Sequence, residues 1–328
     1  MIVSKTPLRA SLFGGGTDFH AYFRNSKYGY GSVISAAINM YIYIIVNKRF
    51  DDKIRLVYYG NELVDSVDEI KHNIIREALK ITNITSGIEI LYLADIPMTN
   101  LGLGLASSSA LAVGVLNALH AYKGEKVTKE QLAKEAIDIE INRLHQQIGI
   151  QDQYAVSYGG FNRYIFNNDD TVLVKKIELL DGSLDKLFGN LMLFYTGKAR
   201  DSKKIFEEQK ETTKNKSEIL DELVCMTNKV MEYLDNEKFD EIGKLFDKAW
   251  KIKKQFASGV SNEEIDKMYD LAMKSGAYGG KILGAGGGGF LLLYVPLKKQ
   301  EMVKEALRDY LQVDFMIDYD GSKIVYKD

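Results

Sequence analysis

The stretch Pro97-Met-Thr-Asn-Leu-Gly102-Leu103-Gly104-Leu105-Ala106-Ser107-Ser108-Ser109-Ala110 decides how the first half of this chain folds, and it runs into an apolar segment at 111–119. Gly102 and Gly104 allow main-chain N–H groups to approach an anion closely. The serines begin a helix, and a helix N-terminus carries partial positive charge. The stretch therefore predicts a loop that binds a nucleotide phosphate and opens a helix.

An ordinary glycine turn followed by a serine cap is the alternative interpretation of this stretch. The loop has no lysine of the Walker type, and Ser107 stands where a dinucleotide-binding loop has its third glycine. Those two kinds of nucleotide loop are therefore excluded, and the rest of the chain has to identify the kind that is present.

The composition is that of an ordinary globular protein. The 328 residues include 43 basic and 45 acidic side chains, so charge alone implies no nucleic-acid or membrane partner. The length predicts two domains of roughly 150 residues each, which we place at residues 1–165 and 166–328. A single cysteine and apolar runs too short to cross a bilayer favour a cytoplasmic location.

Apolar periodicity predicts alternating strands and helices, and the two best helices of the first half lie at 107–122 and 128–145. Thr128 and Gln131 match a capping box at the start of the second helix. In the second half, the pattern predicts a strand at 191–196, amphipathic helices within 202–257, a helix at 261–275, a strand at 290–295, a helix at 298–311 and a last strand at 314–317.

Two further segments carry residues suited to phosphoryl transfer. In Arg9-Ala-Ser-Leu-Phe-Gly14-Gly15-Gly16-Thr17-Asp18, Arg9 can stabilise phosphoryl or oxyanion charge and Asp18 can accept hydrogen bonds from sugar hydroxyls. In Gly149-Ile-Gln-Asp152-Gln-Tyr, Asp152 can act as general base toward a sugar hydroxyl or orient it. The alternatives are a strand end with a surface aspartate for the first segment and an Asx-type turn for the second.

A fourth segment, Gly284-Ala-Gly286-Gly-Gly-Gly289-Phe290, matches the dinucleotide-binding spacing only formally. Its glycines precede a predicted strand, whereas a dinucleotide fingerprint follows a strand and opens a helix. We therefore interpret it as a backbone turn that packs closely beside the substrate-bearing motifs, with an ordinary hairpin turn as the alternative.

Together the segments 9–18, 97–110, 149–160 and 281–290 resemble, in order and approximate spacing, the motifs of the GHMP small-molecule kinases. Within that superfamily they look most like the D-glycero-D-manno-heptose 7-phosphate kinases. The resemblance implies an α+β fold of two domains. The first is an N-terminal ribosomal-protein-S5-domain-2-like, ATP-binding domain, and the second is a C-terminal ferredoxin-like α/β sandwich.

The resemblance also implies the cofactors ATP and Mg²⁺ and a role for each matching residue. ATP lies along Gly102 to Ser109, and Ser108 and Glu140 match the Mg²⁺ ligands, which suits the preference of Mg²⁺ for oxygen donors. Asp152 matches the catalytic aspartate, Arg9 matches the arginine that activates the attacking hydroxyl, and Asp18 matches a sugar-binding carboxylate.

Two positions depart from the usual superfamily pattern. Ala106 stands where a glycine is usual, so alanine would strain the loop if that position needs a positive φ. Gly15 and Gly16, followed by Thr17, stand where galactokinase-like members carry Glu-His before Thr-Asp. The missing side chains leave room for a bulkier sugar that carries a phosphate.

A phosphorylated acceptor needs a cation for its distal phosphate. Lys198, Arg200 and Lys203 form the densest basic segment, and Lys281 in the last motif is a further candidate. A solvated helix start is the alternative for the first three.

The function implied by the resemblance is ATP-dependent phosphorylation of the anomeric hydroxyl of heptose 7-phosphate. The alternatives are a related fucokinase- or galactokinase-like sugar 1-kinase and a sensor that binds ATP and sugar without turnover. We expect small-molecule partners only, and a monomer or a homodimer.

Overall fold

Two long antiparallel strands, β1 (Ile2–Phe13) and β2 (Tyr30–Lys48), form the centre of the larger of two sheets. This computed structural model describes residues 1–96, 103–197 and 217–328. The first part of the phosphate loop, residues 97–102, lies outside these ranges, and so do residues 198–216, which include Lys198, Arg200, Lys203 and the start of the predicted 202–257 helical region.

The remaining strands of the described part are β3 (Ile54–Val57), β4 (Asn61–Val64), β5 (Ile88–Ala94), β6 (Phe161–Asn167), β7 (Val172–Lys176), β8 (Leu191–Tyr195), β9 (Gly279–Ile282), β10 (Phe290–Tyr294), β11 (Leu311–Val313) and β12 (Lys323–Lys327). Its α-helices are α1 (His20–Phe23), α2 (Asn73–Ile81), α3 (Ser107–Tyr122), α4 (Lys129–Ile137), α5 (Gln151–Tyr158), α6 (Ser183–Gly189), α7 (Ser217–Asp235), α8 (Phe239–Lys253), α9 (Glu263–Lys274) and α10 (Gln300–Ala306).

The larger sheet has eight strands. Six follow the order β12-β1-β2-β5-β3-β4, while β6 pairs with β2 and β7 pairs with β6. The pairing is antiparallel except between β3 and β5. The strands are rich in β-branched residues, which suit a pleated and half-buried surface.

Helix α3 lies against the two central strands and is buried on almost every side, as a helix that is apolar all round must be. Gly114 permits this close approach, because a Cβ atom there would lie 2.9 Å from Thr6 Oγ1. The Ser4 hydroxyl donates to the Gly114 carbonyl at 2.7 Å. The sheet thus fixes the helix that the phosphate loop opens.

Helix α4 begins at the predicted cap, where Thr128 Oγ1 accepts a hydrogen bond from the Gln131 N–H at 3.1 Å. The helix then continues into a π-helical segment, Asp138–Arg143, instead of running on as an α-helix. Such segments are rare and often occur at functional sites. This one carries Glu140.

The smaller sheet is antiparallel with the strand order β11-β8-β10-β9. Numbered within this half of the chain, that order is 4-1-3-2, with helices after its first and third strands. This is the split βαβ arrangement of a ferredoxin-like fold, which agrees with the fold predicted from the sequence. Phe13 and Phe246, whose ring centroids lie 4.3 Å apart, connect β1 to α8 and so join the two halves.

The division between residues 165 and 166 stays a prediction, and two features of the larger sheet bear on it. Strands β6 and β7 extend the larger sheet to Lys176, so a division between 165 and 166 passes through β6. Strand β12 then returns from the end of the chain to pair with β1. The larger sheet is therefore built from two separate parts of the sequence.

The last predicted strand needs correction. The structure has β11 at Leu311–Val313, because α10 already ends at Ala306. Within the predicted 314–317 segment, Ile317 makes an isolated bridge to Ile38, and Asn39 Oδ1 accepts from the Met316 N–H. This segment therefore crosses back toward the larger sheet. Among the described residues, no helix is both long and apolar enough to span a membrane.

Candidate active site

A cleft between the two sheets gathers three of the four sequence motifs. It encloses about 700 Å³ of empty space, part of it open to solvent. Its lining comprises Arg9, Ser11, Gly15, Gly16, Asp18, Phe19, Ile148, Gly149, Gln151, Asp152, Leu220, Lys253, Phe256, Lys281 and Gly284.

Arg9 and Asp152 form a two-pronged ion pair at this cleft. Arg9 Nε and Nη2 donate to the two carboxylate oxygens of Asp152 at 2.8 and 2.7 Å. Arg9 is buried within β1, whereas the Asp152 side chain, in the first turn of α5, is 24% exposed. Such paired N–H···O bonds fix both groups in one plane.

The third guanidinium contact of Arg9 reaches the phosphate loop. Arg9 Nη1 donates to the Gly104 carbonyl at 2.8 Å, and the Arg9 main-chain N–H donates to the Leu105 carbonyl at 3.1 Å. One side chain thus connects the candidate catalytic carboxylate to the loop assigned to ATP.

Asp18 is buried where the Gly14–Gly16 turn meets the start of α5. Its Oδ1 accepts from the Gly16 N–H at 2.9 Å, and its Oδ2 accepts from the Gln151 N–H at 3.1 Å. Burial raises the pKa of Asp18, the negative charge of Asp152 adds to the rise, and the hydrogen bonds oppose it.

The glycine turn lines the cleft with its backbone, and its glycines have close neighbours. A Cβ atom at Gly15 would lie 3.5 Å from Ser11 Oγ and 3.7 Å from Gln151 Nε2. Thr17, by contrast, is buried, and its hydroxyl donates to the Gly14 and Ser32 carbonyls. Unlike Gly15 and Gly16, Thr17 is absent from the cleft lining, and its side chain holds the turn together.

Lys281 crosses from β9 to the end of β1. Its Nζ donates to the Ser11 and Leu12 carbonyls at 3.0 and 3.1 Å. Burial lowers the pKa of Lys281 to about 7, and the neighbouring Arg9 charge acts in the same direction. The cleft therefore holds an amine that loses its proton more readily than an exposed lysine does.

The described part of the phosphate loop ends in an unusual backbone conformation. Ala106, directly before α3, has φ 64° and ψ 34°, which is the left-handed region that favours glycine. Leu103 and Leu105 are buried, and Ser107 is half-buried. Ser108 is exposed at the helix start, and Ser109 points inward.

Glu140 is the buried carboxylate behind this helix start. Its Oε2 accepts from Ser109 Oγ at 2.7 Å and from Gln153 Nε2 at 2.6 Å. Burial raises the pKa of Glu140, and the neighbouring Ser108, Ser109 and Gln153 side chains oppose the rise. Its other oxygen, Oε1, is buried without a hydrogen-bond partner among the described residues.

These residues fit a Mg²⁺ ion that is held mainly by nucleotide oxygens. An unpartnered buried carboxylate oxygen normally requires a partner, and a cation near Ser108 would supply one. Within the part of the chain that the structure describes, no group of three acidic, histidine or cysteine side chains could hold a metal by itself. Mg²⁺ bound to phosphates needs only one or two protein oxygens.

The fourth motif packs directly on the phosphate loop. A Cβ atom at Gly104 would lie 2.4 Å from the Leu283 carbonyl oxygen, and one at Gly289 would lie 2.2 Å from the Leu103 carbonyl oxygen. Both glycines have positive φ. The segment is therefore a close backbone contact between the halves.

Several lining residues were not found from the sequence. Lys253 and Phe256 lie at and beyond the C-terminal end of α8, and Leu220 lies on α7. Amphipathic periodicity predicts which face of a helix is buried, but it does not say which residue reaches a cleft. Gln151 and Gln153 were visible beside Asp152, yet no pattern indicated that Gln153 would hold Glu140.

Sequence and structure comparisons find related kinases. The family model for the GHMP kinases N terminal domain matches residues 69–160, and the model for the GHMP kinases C terminal region matches residues 230–313. A D-glycero-alpha-D-manno-heptose 7-phosphate kinase from Campylobacter jejuni is 32% identical over 98% of both chains. A galactokinase from Pyrococcus furiosus is 29% identical over 94% of both chains. The crystal structure of a D-glycero-D-manno-heptose 1-phosphate kinase from Bacteroides thetaiotaomicron superposes with a TM-score of 0.81 at 23% identity, covering 100% of both chains.

Proposed function

We propose an acceptor substrate for this chain, which belongs to the GHMP kinase family and is an ATP-dependent phosphotransferase. The proposed reaction transfers the γ-phosphoryl group of ATP to the anomeric C1 hydroxyl of D-glycero-D-manno-heptose 7-phosphate. The product is the 1,7-bisphosphate, a precursor for nucleotide-heptose synthesis. We expect the enzyme to act in the cytoplasm, as a monomer or a homodimer.

The observation that carries this proposal is that Gly15 and Gly16 line the same cleft as the Arg9–Asp152 pair without side chains of their own. Neither glycine places a side chain between the acceptor and the cleft wall, which favours a seven-carbon sugar with a charged substituent. The full-length similarity to a heptose 7-phosphate kinase supports the same acceptor.

Asp152 and Arg9 are the proposed catalytic residues. Asp152 would accept the proton of the C1 hydroxyl or orient that hydroxyl toward the γ-phosphorus. Arg9 would keep the carboxylate in place and stabilise negative charge that develops on the attacking oxygen. Positioning and charge neutralisation would then supply most of the rate enhancement.

The ATP site is proposed along Gly102 to Ser109, with Mg²⁺ held by Ser108 and Glu140. When it is bound, Mg²⁺ neutralises charge on the β- and γ-phosphate oxygens. Ser109 and Gln153 would orient the Glu140 carboxylate by donating to Oε2.

The distal phosphate of the acceptor needs a cation, and Lys281 is the described residue that we favour. Lys281 lines the cleft and already donates to two main-chain carbonyls. A bound phosphate would favour its protonated form, because an anion nearby raises the pKa of an amine. Lys198 and Arg200 remain candidates from the sequence.

A free hexose or fucose is the second candidate acceptor. It is favoured by the similarity to a galactokinase over 94% of this chain and to an L-fucokinase/L-fucose-1-P guanylyltransferase from Bacteroides fragilis over 89%. Neither free sugar would require a distal cation.

The acceptor is tested by measuring ADP release with heptose 7-phosphate, free heptose, galactose and fucose, and by identifying the product by mass spectrometry. We expect kcat/KM with the phosphorylated heptose to exceed that with free heptose by about 100-fold, since a charge-assisted contact contributes about 1.5–3 kcal/mol. Preference for a free sugar would overturn the proposed acceptor.

Asp152→Asn tests the catalytic assignment. We expect kcat to fall about 10²–10⁴-fold, with ATP affinity within about twofold of wild type because the ATP loop is untouched. Asp170→Asn is the matched control, since Asp170 forms the same two-pronged pair with Arg24 on the surface. Near-normal turnover of Asp152→Asn would remove Asp152 from this role.

A further inference from the structure

We propose that Asp18 is a positioning residue that holds the helix carrying Asp152, and that Gly149 is a glycine because Asp18 occupies the space of its side chain. This inference rests on the proposed role of Asp152. It differs from the sugar-binding role that the sequence resemblance implies for Asp18.

The first step is the start of helix α5. The first N–H groups of a helix have no partner within the helix, and they are usually satisfied by a nearby side chain. The residue before α5 is Ile150, which makes no side-chain cap. Asp18 replaces that cap from a distant part of the sequence, because its Oδ2 accepts from the Gln151 N–H and its main-chain carbonyl accepts from the Ile150 N–H, both at 3.1 Å.

The second step is the direction of the charge. A carboxylate at a helix N-terminus is stabilised by the partial positive charge there. Asp152 follows Gln151 directly, so the anchored N–H lies one residue before the candidate catalytic carboxylate. A shift of the helix start would change the angle at which Asp152 meets Arg9.

The third step concerns Gly149. A Cβ atom there would lie 1.9 Å from Asp18 Oδ2 and 2.4 Å from Asp18 Cγ, which no structure tolerates without movement. Gly149 is not among the glycines with positive φ, so its backbone does not require glycine. The approach of the Asp18 carboxylate is therefore the reason for a glycine here.

The fourth step concerns the remaining oxygen of Asp18. Oδ1 accepts from the Gly16 N–H at 2.9 Å, which ties the glycine turn to Asp18. Asp18 is only 1% exposed. One carboxylate therefore links the turn to α5, and each of its oxygens accepts a main-chain N–H.

The two roles predict different kinetics. If Asp18 bound the acceptor, its substitution would raise the acceptor KM. If Asp18 positions Asp152, substitution lowers kcat and leaves the acceptor KM nearly unchanged, because ground-state contacts persist. Gly149→Ala should have the same effect, since it breaks the same contact while leaving the carboxylate in the chain.

The experiment compares Asp18→Asn, Gly149→Ala and the double variant in steady-state kinetics with ATP and the best acceptor. We expect each single variant to lose about 10–100-fold in kcat, as small misplacements of reacting groups do, with acceptor KM within about threefold. The double variant should be no worse than the worse single one, because both remove one contact. Gly189→Ala is the control, since its Cβ would meet nothing within 4 Å.

A second readout does not depend on the acceptor. Hydrogen exchange of the segment 147–158 should be faster in Asp18→Asn and Gly149→Ala than in wild type, and unchanged in Gly189→Ala. This outcome would support the positioning role even if wild type turned over none of the tested sugars, which would instead overturn the proposed function. If Gly149→Ala fails to fold, the near-isosteric Asp18→Asn decides through the same exchange measurement.

The inference is overturned by either of two results. One is an acceptor KM that rises about tenfold in Asp18→Asn with unchanged kcat, combined with near wild-type kinetics of Gly149→Ala. The other is wild-type exchange of segment 147–158 in folded Asp18→Asn.

Discussion

The two ends of helix α3 differ in their backbone strain and in the pairing of nearby polar groups, although one continuous sheet supports both ends. At its N-terminal end, Ala106 has a left-handed backbone and Glu140 Oε1 is buried without a partner among the described residues. Near its C-terminal end, His120 Nδ1 contacts Glu125 Oε2 at 2.6 Å and His120 Nε2 contacts Glu135 Oε2 at 2.7 Å.

The difference teaches which groups serve binding and which serve stability. Glu135 and Glu140 lie on one continuous helical segment, yet the first is paired with His120 and the second keeps one oxygen open. Buried polar groups in proteins are normally paired, and exceptions concentrate where a ligand completes the pairing. The strained backbone and the unpaired carboxylate oxygen at the N-terminal end of α3 thus indicate a binding site. The fully hydrogen-bonded His120 cluster at the other end indicates a role in stability.

Substitution of the two glutamates should have the largest effect of the three tests of this contrast. We expect Glu140→Gln to lower kcat by about 10²–10³-fold, as removal of one preorganised electrostatic group does, and to raise the Mg²⁺ concentration needed for half-maximal rate. Glu135→Gln, the matched control, should leave turnover unchanged and cost about 1 kcal/mol of unfolding free energy. An unaltered Mg²⁺ dependence in Glu140→Gln would remove it from the proposed metal site.

The pH dependence of the unfolding free energy tests the His120 cluster, and the expected effect is of intermediate size. Hydrogen bonds that the Glu135 carboxylate, and secondarily the Glu125 carboxylate, accept from the His120 ring raise the pKa of His120 above its ordinary value of 6.5. The protonated histidine therefore stabilises the fold fully below about pH 6.5, and this contribution is lost as the pH rises through the higher folded-state value. Urea unfolding should show that wild type loses on the order of 1 kcal/mol more than His120→Gln between pH 6 and pH 9.

Parallel pH profiles of the two proteins would show that the cluster contributes no charge-dependent stability. Turnover at saturating substrates serves as the control, because His120 lies at the end of α3 away from the cleft. It should be equal in both proteins at each pH.

Glycine substitution at the two ends of α3 should have the smallest effect of the three tests. A left-handed residue with a side chain costs about 1–2 kcal/mol, while glycine loses roughly 0.5–1 kcal/mol through chain entropy. Ala106→Gly should therefore leave the unfolding free energy unchanged or raise it by up to about 1 kcal/mol, with ATP affinity unchanged or improved.

Ala121→Gly is the control for this comparison, because Ala121 is 8% exposed, as Ala106 is, and lies inside the helix. It should lose about 1 kcal/mol of unfolding free energy. Thermal or urea unfolding measures both variants. A large loss of ATP affinity in Ala106→Gly would mean that the phosphate loop has been misinterpreted.

Local chemistry explains what the sequence predicted well. The left-handed strain at Ala106 was expected from one alanine in a glycine position, and the Thr128 cap was expected from spacing alone. A closely packed backbone turn was expected from the consecutive glycines before a strand, and the structure adds that Gly284 packs on Gly104. Each of these predictions depends on residues that are near in sequence or on a recognisable motif.

Contacts between distant segments explain what was missed. Asp18 caps a helix that begins more than a hundred residues later, and no local sequence pattern predicts such a cap. The π-helical segment that turns Glu140 inward is also invisible, because its residues have ordinary helix periodicity. Lys253 and Phe256 reach the cleft only because α8 packs closely on β9, where a Cβ atom at Gly279 would lie 2.4 Å from the Gly243 carbonyl oxygen.

The return of β12 to the larger sheet has a consequence for the order of synthesis. A ribosome completes β8 to β11 before it makes β12, so β1 has an unpaired edge while the smaller sheet is already available to fold. Unpaired strand edges invite pairing with other chains. The smaller half is therefore an insertion within the larger half, which can complete its sheet only after β12 has been made. Dividing the chain at any single peptide bond between the two halves would separate β12 from β1 and leave that edge of β1 unpaired.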